Sequence, residues 1–142
     1  MARITAFTNL TLDGVYQAPG GNQPGNPFSD FFRSTRKHVV TRQTGYQATW
    51  ENSRVLDGDT DAALTDLHRN NSKDLLVFGS GELVVTLAEL GLVDRYVLLL
   101  HPLVLGSGKR FGAGLADKRA LTLEEVRSTK SGVLLLTYAP AP

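Results

Sequence analysis

The sequence contains no cysteine and only one methionine and one tryptophan among its 142 residues. Without cysteine there is no disulfide framework, no thiol nucleophile and no thiolate metal site, a composition typical of cytoplasmic proteins. Fifteen Lys and Arg offset fourteen Asp and Glu, so the net charge is only +1. Since the two signs are mixed and no basic stripe carries interleaved aromatic residues, the composition predicts neither a nucleic-acid partner nor an anionic membrane partner.

Long hydrophobic runs are also missing. No apolar segment is long enough to span a bilayer or to serve as a signal peptide, and a strand-like pattern begins almost at Met1. With 42% hydrophobic residues, the chain can bury one core but is short for two ordinary domains. The sequence therefore predicts a single domain over residues 1–142, located in the cytoplasm.

Strand-like and helix-like patterns alternate through the first two thirds of the chain, and two strands follow each other at the end. The periodicity predicts strands at residues 4–10, 37–42, 55–56, 75–78, 96–105, 121–126 and 132–138. It predicts helices over residues 59–70 and 81–90. This order is typical of an α/β fold, with a mixed, mostly parallel sheet and an antiparallel C-terminal hairpin.

The most informative stretch is the central strand that breaks at Gly79-Ser80-Gly81 and continues as a helix. Glycine lets a backbone approach a ligand closely, and the N-terminus of a helix offers unpaired N–H groups to an anion. Ser80 suits the helix N-cap, and Gly91 suits the helix stop. Taken alone, this turn is a weak signal for a phosphate site, because a Gly-Ser-Gly between a strand and a helix is more often only a tight connection.

Two further predicted strands end in polar residues, at positions 9–14 and at Thr41-Arg42. In α/β sheets, ligands bind at the carboxyl ends of the strands. Together with the Gly79-Ser80-Gly81 turn, these segments could hold an extended phosphorylated ligand.

Other reactive side chains indicate no further chemistry. His38, His68 and His101 are scattered, and no pair of them has metal-ligand spacing with a carboxylate, so no metal site is expected. We expect His68 to lie on a helix and to face solvent. No serine lies in a nucleophile-elbow sequence, which argues against a hydrolase.

A set of motifs occurs in a characteristic order, and it resembles the dihydrofolate-reductase-like family of the bacterial RibD C-terminal type, the reductase domain of riboflavin biosynthesis. The motifs are Asn9-Leu10-Thr11-Leu12-Asp13-Gly14, Val39-Val40-Thr41-Arg42, Trp50-Glu51-Asn52, Val77-Phe78-Gly79-Ser80-Gly81, Leu90-Gly91-Leu92-Val93-Asp94, Pro102-Leu103-Val104-Leu105-Gly106-Ser107-Gly108 and Ser131-Gly132-Val133. The resemblance implies a three-layer fold of the dihydrofolate reductase type and NADPH as the hydride donor.

The resemblance also implies roles for individual residues. The pyrophosphate-binding turn of the family matches Gly79, Ser80, Gly81, Glu82 and Leu83. The strand end that meets the adenosine 2′-phosphate matches Thr41 and Arg42, and a forked cation beside a hydroxyl suits a dianion. The loop beside the nicotinamide and substrate matches Asn9, Asp13 and Gly14. Asp13 either orients a polar group or caps the turn, and it is a weak candidate for a catalytic acid.

The chain departs from the family pattern between Gly20 and Phe28. Roughly forty residues of that pattern are absent, more than a change of loop length would remove. They include an interior strand ending in Gly-Arg and a helix that lines the substrate pocket in relatives. Three explanations are open: a deletion, a swapped dimer, or a segment left out of the numbered sequence. The intact flanking motifs favour the last.

The resemblance therefore implies an NADPH-dependent reductase, similar to 5-amino-6-(5-phosphoribosylamino)uracil reductase or dihydrofolate reductase. We expect it to act on a small heterocyclic substrate as a homodimer. The alternative is a nucleotide-binding or dimeric interaction protein that keeps the fold without turnover. The departure after Gly20 favours the alternative, whereas the intact Gly79-Ser80-Gly81 and Thr41-Arg42 segments favour the reductase.

Overall fold

The computed structural model describes residues 2–16, 35–40, 47, 52–56, 58–78 and 81–142. The strands are β1 (Ile4–Leu10), β2 (Lys37–Val39), β3 (Ser53–Val55), β4 (Leu75–Phe78), β5 (Arg95–Leu100), β6 (Leu121–Ser128) and β7 (Leu134–Pro140). The helices are α1 (Thr60–Asn70) and α2 (Gly81–Glu89). The chain divides into two compact units, one of residues 1–19 and 65–142 and the other of residues 20–64. A single domain over the whole chain stays a prediction.

The first unit contains a five-stranded sheet in the order β4-β1-β5-β7-β6. β1 runs parallel to β4 on one side and to β5 on the other. β7 runs antiparallel to both β5 and β6, so the sheet ends in a hairpin. The mixed α/β fold with an antiparallel C-terminal hairpin, predicted from the order of the sequence patterns, is confirmed.

β1 forms the centre of the parallel part of this sheet, and its side chains alternate strictly between buried and half-buried. Ile4, Ala6, Thr8 and Leu10 share the buried face, where none is more than 7% exposed. Such alternation arises because successive side chains of a strand point to opposite faces. Asn9 therefore lies on the half-buried face.

Helix α2 is the apolar helix predicted after the central strand, and Val84, Leu87 and Ala88 are buried on it. Gly91 ends it with φ at 69°, a conformation that costs glycine little. The N–H of Leu92 then donates to the carbonyl of Leu87 at 2.9 Å, which satisfies an end carbonyl of the helix. Among the described residues, neither α1 nor α2 has the length and apolar character needed to cross a membrane.

The second unit contains a parallel pair formed by β2 and β3, in which His38 lies opposite Arg54. The strand predicted over residues 37–42 is described only as far as Val40, and it ends at Val39. Helix α1 starts one residue after Asp59, whose Oδ1 accepts the N–H of Asp61 at 3.3 Å. An acid at this position stabilises a helix start, as the sequence predicts.

Two expectations about burial are wrong. Residues 96–105 were expected to form one buried strand, but β5 ends at Leu100, and Val104 is 63% exposed. Pro102 has no N–H for a ladder, and the chain turns there so that the carbonyl of Leu103 accepts the N–H of Leu12 at 2.7 Å. His68 does not face solvent: its side chain is 14% exposed and its Nε2 lies 3.2 Å from Oδ2 of Asp94.

Candidate functional site

The carboxyl ends of three parallel strands, β4, β1 and β5, lie at one edge of the five-stranded sheet. Some of the residues predicted from the sequence lie at this edge. Asn9 lies near the end of β1, and Asp13 and Gly14 lie in the turn after it. The others are the first three residues of α2, which are Gly81, Glu82 and Leu83. Gly79, Ser80, Thr41 and Arg42 lie outside the described residues. Their roles therefore stay predictions.

The turn after β1 is closed by its own hydrogen bonds. Thr11 is fully buried, its N–H donates to the carbonyl of Val15 at 2.9 Å, and its Oγ1 accepts the N–H of Val15 at 3.0 Å. Gly14 takes φ of 81°, where a side chain would be strained. The sequence requirement at this turn is thus a hydroxyl at position 11 and glycine at position 14.

Asp13 uses its carboxylate to hold the segment that follows β5. It accepts hydrogen bonds from the Thr11 hydroxyl, from the N–H of Leu105 at 3.3 Å and from the N–H of Gly106 at 2.8 Å. The Thr11 hydroxyl, followed by the Gly106 amide, lowers the pKa of Asp13 from 3.8 to about 2. A carboxylate that is ionised at neutral pH has no proton to give, so this geometry favours an orienting role over that of a general acid.

A second set of hydrogen bonds joins the same turn to residues 109–111. The N–H of Tyr16 donates to the carbonyl of Lys109 at 3.0 Å, and the N–H of Phe111 donates to the carbonyl of Gly14 at 2.9 Å. Val15 and Arg110 form an isolated antiparallel bridge between them. The turn after β1 and the chain after β5 are therefore held together along most of their length.

Gly81 begins α2 directly against the ring of Tyr16. A methyl group at position 81 would overlap the Tyr16 ring, so only glycine fits there without movement. Tyr16 was not predicted from the sequence. A glycine at a helix start is a signal for a close neighbour, but it does not identify which residue that neighbour is. The contact is with the far end of the Tyr16 side chain, so packing favours glycine as the third residue of the predicted phosphate turn.

The start of α2 has donors that suit a nucleotide phosphate. The first-turn N–H groups of a helix have no partners within it and carry the positive end of its dipole. Glu82 brings a negative charge to this turn, but its Oε1 lies 3.4 Å from Nζ of Lys109, and the two side chains are 86% and 57% exposed. Lys109, which was not predicted from the sequence, places a cation beside Glu82, so the start of α2 offers amide and ammonium donors of the kind that a phosphate requires.

One side-chain pair joins the carboxyl ends of β1 and β5. Nε2 of His101 lies 2.9 Å from Oδ1 of Asn9, in a half-buried position. No role was predicted for His101 from the sequence, because no local motif distinguishes it. Elsewhere, no group of three or more His, Asp or Glu side chains that could hold a metal ion occurs within the described ranges.

Comparisons with known proteins identify the family. A family model for the RibD C-terminal domain matches residues 25–135. The Bacillus subtilis (strain 168) protein YyaP is 32% identical over 108 residues, which cover 74% of this chain and 55% of YyaP. The chain therefore spans about half the length of this curated relative.

Solved structures share the fold. The structure of a protein from Shewanella sp. PV-4, named as a putative riboflavin biosynthesis protein, matches with a TM-score of 0.74 at 16% identity, over 100% of both chains. The deaminase/5-amino-6-(5-phosphoribosylamino)uracil reductase of Thermotoga maritima matches with a TM-score of 0.66 at 12% identity, over 99% of this chain and 57% of the other. The resemblance drawn from the ordered motifs is confirmed, and the chain belongs to the RibD C-terminal domain family, with a fold of the dihydrofolate reductase type.

Proposed function

We propose that this protein is an NADPH-dependent reductase that transfers hydride to a small heterocyclic substrate. The observation that carries the proposal is the convergence of three parallel strand ends with the glycine start of α2 at one sheet edge. Ligands bind at such edges in α/β sheets, and a helix N-terminus suits a pyrophosphate. Membership of a family of reductase domains supports the same conclusion.

In this proposal the chain binds and orients, and NADPH supplies the hydride. The first-turn amides of α2, with Gly79, Ser80, Gly81, Glu82 and Leu83, hold the pyrophosphate. Thr41 and Arg42 bind the adenosine 2′-phosphate. Asn9 and Gly14 lie beside the nicotinamide and substrate, and Asp13 keeps the residues after β5 in place through the amides of Leu105 and Gly106.

The proposed substrates are planar pyrimidines or pterins with ring carbonyl groups. The Thermotoga maritima deaminase/5-amino-6-(5-phosphoribosylamino)uracil reductase has the same fold, which supports the pyrimidine class. Dihydrofolate is the second compound to test, because the fold is of the dihydrofolate reductase type. The proposal includes a cytoplasmic homodimer, as expected from the sequence.

A second candidate function is nucleotide binding or dimeric interaction without turnover. The departure from the family pattern between Gly20 and Phe28 favours it, because relatives use the absent segment to line the substrate pocket. This function keeps the cofactor site at the sheet edge and loses only the chemistry.

Turnover separates the two functions. NADPH oxidation is followed by absorbance with 5-amino-6-(5-phosphoribosylamino)uracil and with dihydrofolate as substrates, and the reduced product is identified by mass. Reduction of either compound supports the reductase. NADPH binding without reduction of either compound contradicts the reductase in favour of the second function. Absence of NADPH binding contradicts both the reductase and nucleotide binding, and leaves dimeric interaction as the function.

A further inference from the structure

The carboxamide of Asn9 occupies an apolar part of the half-buried sheet face. Phe7, two residues before Asn9 on the same face, stacks on Phe78 with ring centroids 4.9 Å apart. Leu99 lies directly opposite Asn9 in the β1/β5 register. A carboxamide among such neighbours needs hydrogen-bond partners, because an unpaired polar group away from water is costly.

His101 supplies one of these partners. The backbone N–H of His101 donates to the carbonyl of Leu10 at 2.7 Å, which extends the β1/β5 ladder by one residue. This hydrogen bond holds the His101 backbone, and therefore the base of its side chain, in place. Nε2 then reaches Oδ1 of Asn9 at 2.9 Å. Because a carboxamide oxygen only accepts hydrogen bonds, this arrangement requires the His101 tautomer in which Nε2 carries the proton and donates it.

This donation determines which end of the Asn9 amide remains for a ligand. In this tautomer, the amide cannot rotate by half a turn without placing its NH₂ against the Nε2–H. The other tautomer would accept a hydrogen bond from Nδ2 and leave Oδ1 free, so the tautomer of His101 selects which end of the Asn9 amide faces a ligand. Nδ2 has no hydrogen-bond partner among the residues that the structure describes. The Nδ2–H group of Asn9 is therefore available as a donor at the carboxyl ends of the strands, where a carbonyl oxygen of a ligand would accept the hydrogen bond.

We propose that His101 is a positioning residue that fixes the Asn9 amide so that Nδ2 donates to the carbonyl oxygen of a heterocyclic amide. The inference rests on the proposed function, and it deepens that function by assigning the orientation of Asn9 and a role for His101. Two sources supply this carbonyl chemistry: the carboxamide of the nicotinamide and the ring carbonyl of a pyrimidine substrate.

The test is a double-mutant cycle on NADPH affinity, measured by calorimetric titration, with Asn9→Ala, His101→Phe and the combined variant. His101→Phe keeps a ring but loses the donor, and it should weaken binding about tenfold, the effect of one hydrogen bond. In the Asn9→Ala background the same change should have no further effect. His101→Gln, which restores an N–H donor, should recover affinity to within about twofold.

A second arm separates the two carbonyl sources. If NADPH affinity is unchanged but His101→Phe raises the KM for 5-amino-6-(5-phosphoribosylamino)uracil and His101→Gln restores it, the contacted carbonyl belongs to the substrate. Either pattern supports the proposal. His68→Phe is the matched control, since His68 contacts Asp94 instead of the sheet edge, and it should leave affinity and KM unchanged.

The outcomes also separate this inference from the function on which it rests. If the wild type binds NADPH and His101→Phe changes neither affinity nor KM, or changes them equally with and without Asn9, the positioning role is overturned and the reductase stands. If the wild type binds neither NADPH nor NADH, both are overturned. Thermal melts of each variant show whether a loss of affinity follows from unfolding.

Discussion

The carboxylate of Asp13 accepts the backbone N–H of Gly106 at 2.8 Å, across 93 positions of sequence. This bond joins the turn after β1 to the segment after β5, so that two strand ends of the parallel sheet share one support. Since the same carboxylate also accepts the Thr11 hydroxyl, a single acidic side chain organises this end of the candidate site.

The first prediction concerns the pH dependence of stability through Asp13. Folding lowers its pKa from 3.8 to about 2, so the unfolded chain binds more protons than the folded chain between these values. The contribution of Asp13 is therefore complete above pH 3.8 and is lost as the pH falls toward 2. We expect Asp13→Asn to be less stable than the wild type at pH 6, with the difference shrinking at the acidic end, as measured by urea denaturation.

Asp117→Asn is the control for this prediction, because Asp117 is exposed and has no hydrogen bond among the described residues. It should change stability little at either pH. A difference between wild type and Asp13→Asn that stays constant across the acidic range would show that the carboxylate contributes through packing alone.

The second prediction concerns the contact between Gly81 and Tyr16. Gly81→Ala should destabilise the protein by about 1 to 3 kcal/mol, the usual effect of inserting a methyl group into filled space. Adding Tyr16→Ala should recover most of the loss that Gly81→Ala causes, because the overlap is with the tyrosine ring. Thermal melts of both single variants and the double variant measure the coupling.

Gly91→Ala provides the contrast, since Gly91 has φ of 69° and no atom near its Cβ position. We expect Gly91→Ala to lower the free energy of unfolding by about 1 to 2 kcal/mol, because a side chain is strained in the left-handed backbone conformation. Tyr16→Ala should not relieve this loss of stability. Equal behaviour of the two glycine variants in the Tyr16→Ala background would contradict the close approach of Tyr16 to α2.

The third prediction compares two apolar residues that the sequence presents as similar. Leu87 is 1% exposed and Val104 is 63% exposed. Leu87→Ala should cost about 2 to 5 kcal/mol, because it leaves a cavity in the core. Val104→Ala should cost less than about 0.5 kcal/mol. Comparable losses in urea denaturation would show that residues 103–105 are covered by another surface in solution.

The fourth prediction addresses Arg42, whose role rests on the family resemblance. If its guanidinium binds the 2′-phosphate, Arg42→Ala should weaken NADPH binding by more than tenfold and change NADH binding little, since NADH lacks that phosphate. Equal losses for both cofactors would instead indicate a general effect on the site. Arg36→Ala is a control of the same charge change on the same segment.

The fold was largely predictable because its elements have strong local signals. The alternation over Ile4–Leu10 and the glycine after α2 act within a few residues, and both predictions are confirmed. The end of β5 was placed wrongly because Leu103, Val104 and Leu105 are apolar yet exposed. Apolar composition alone does not say whether a segment has a neighbour to cover it.

The site was predictable only where a motif carries it. Asp13 and Gly81 stand out because glycine and an acid mark special backbone positions. No local pattern distinguishes the other three residues of the site, which are Tyr16, His101 and Lys109. Their contacts join positions far apart in the sequence, such as Asn9 and His101, which are 92 positions apart. Long-range pairing of this kind is set by sheet register, which no local pattern contains.

The central claim is that the sheet edge binds a phosphorylated nicotinamide cofactor. The most direct measurement is calorimetric titration of the wild-type protein with NADPH and, separately, with NADH. The account predicts micromolar binding of NADPH and weaker binding of NADH. Absence of detectable binding of both cofactors by the folded protein would contradict it.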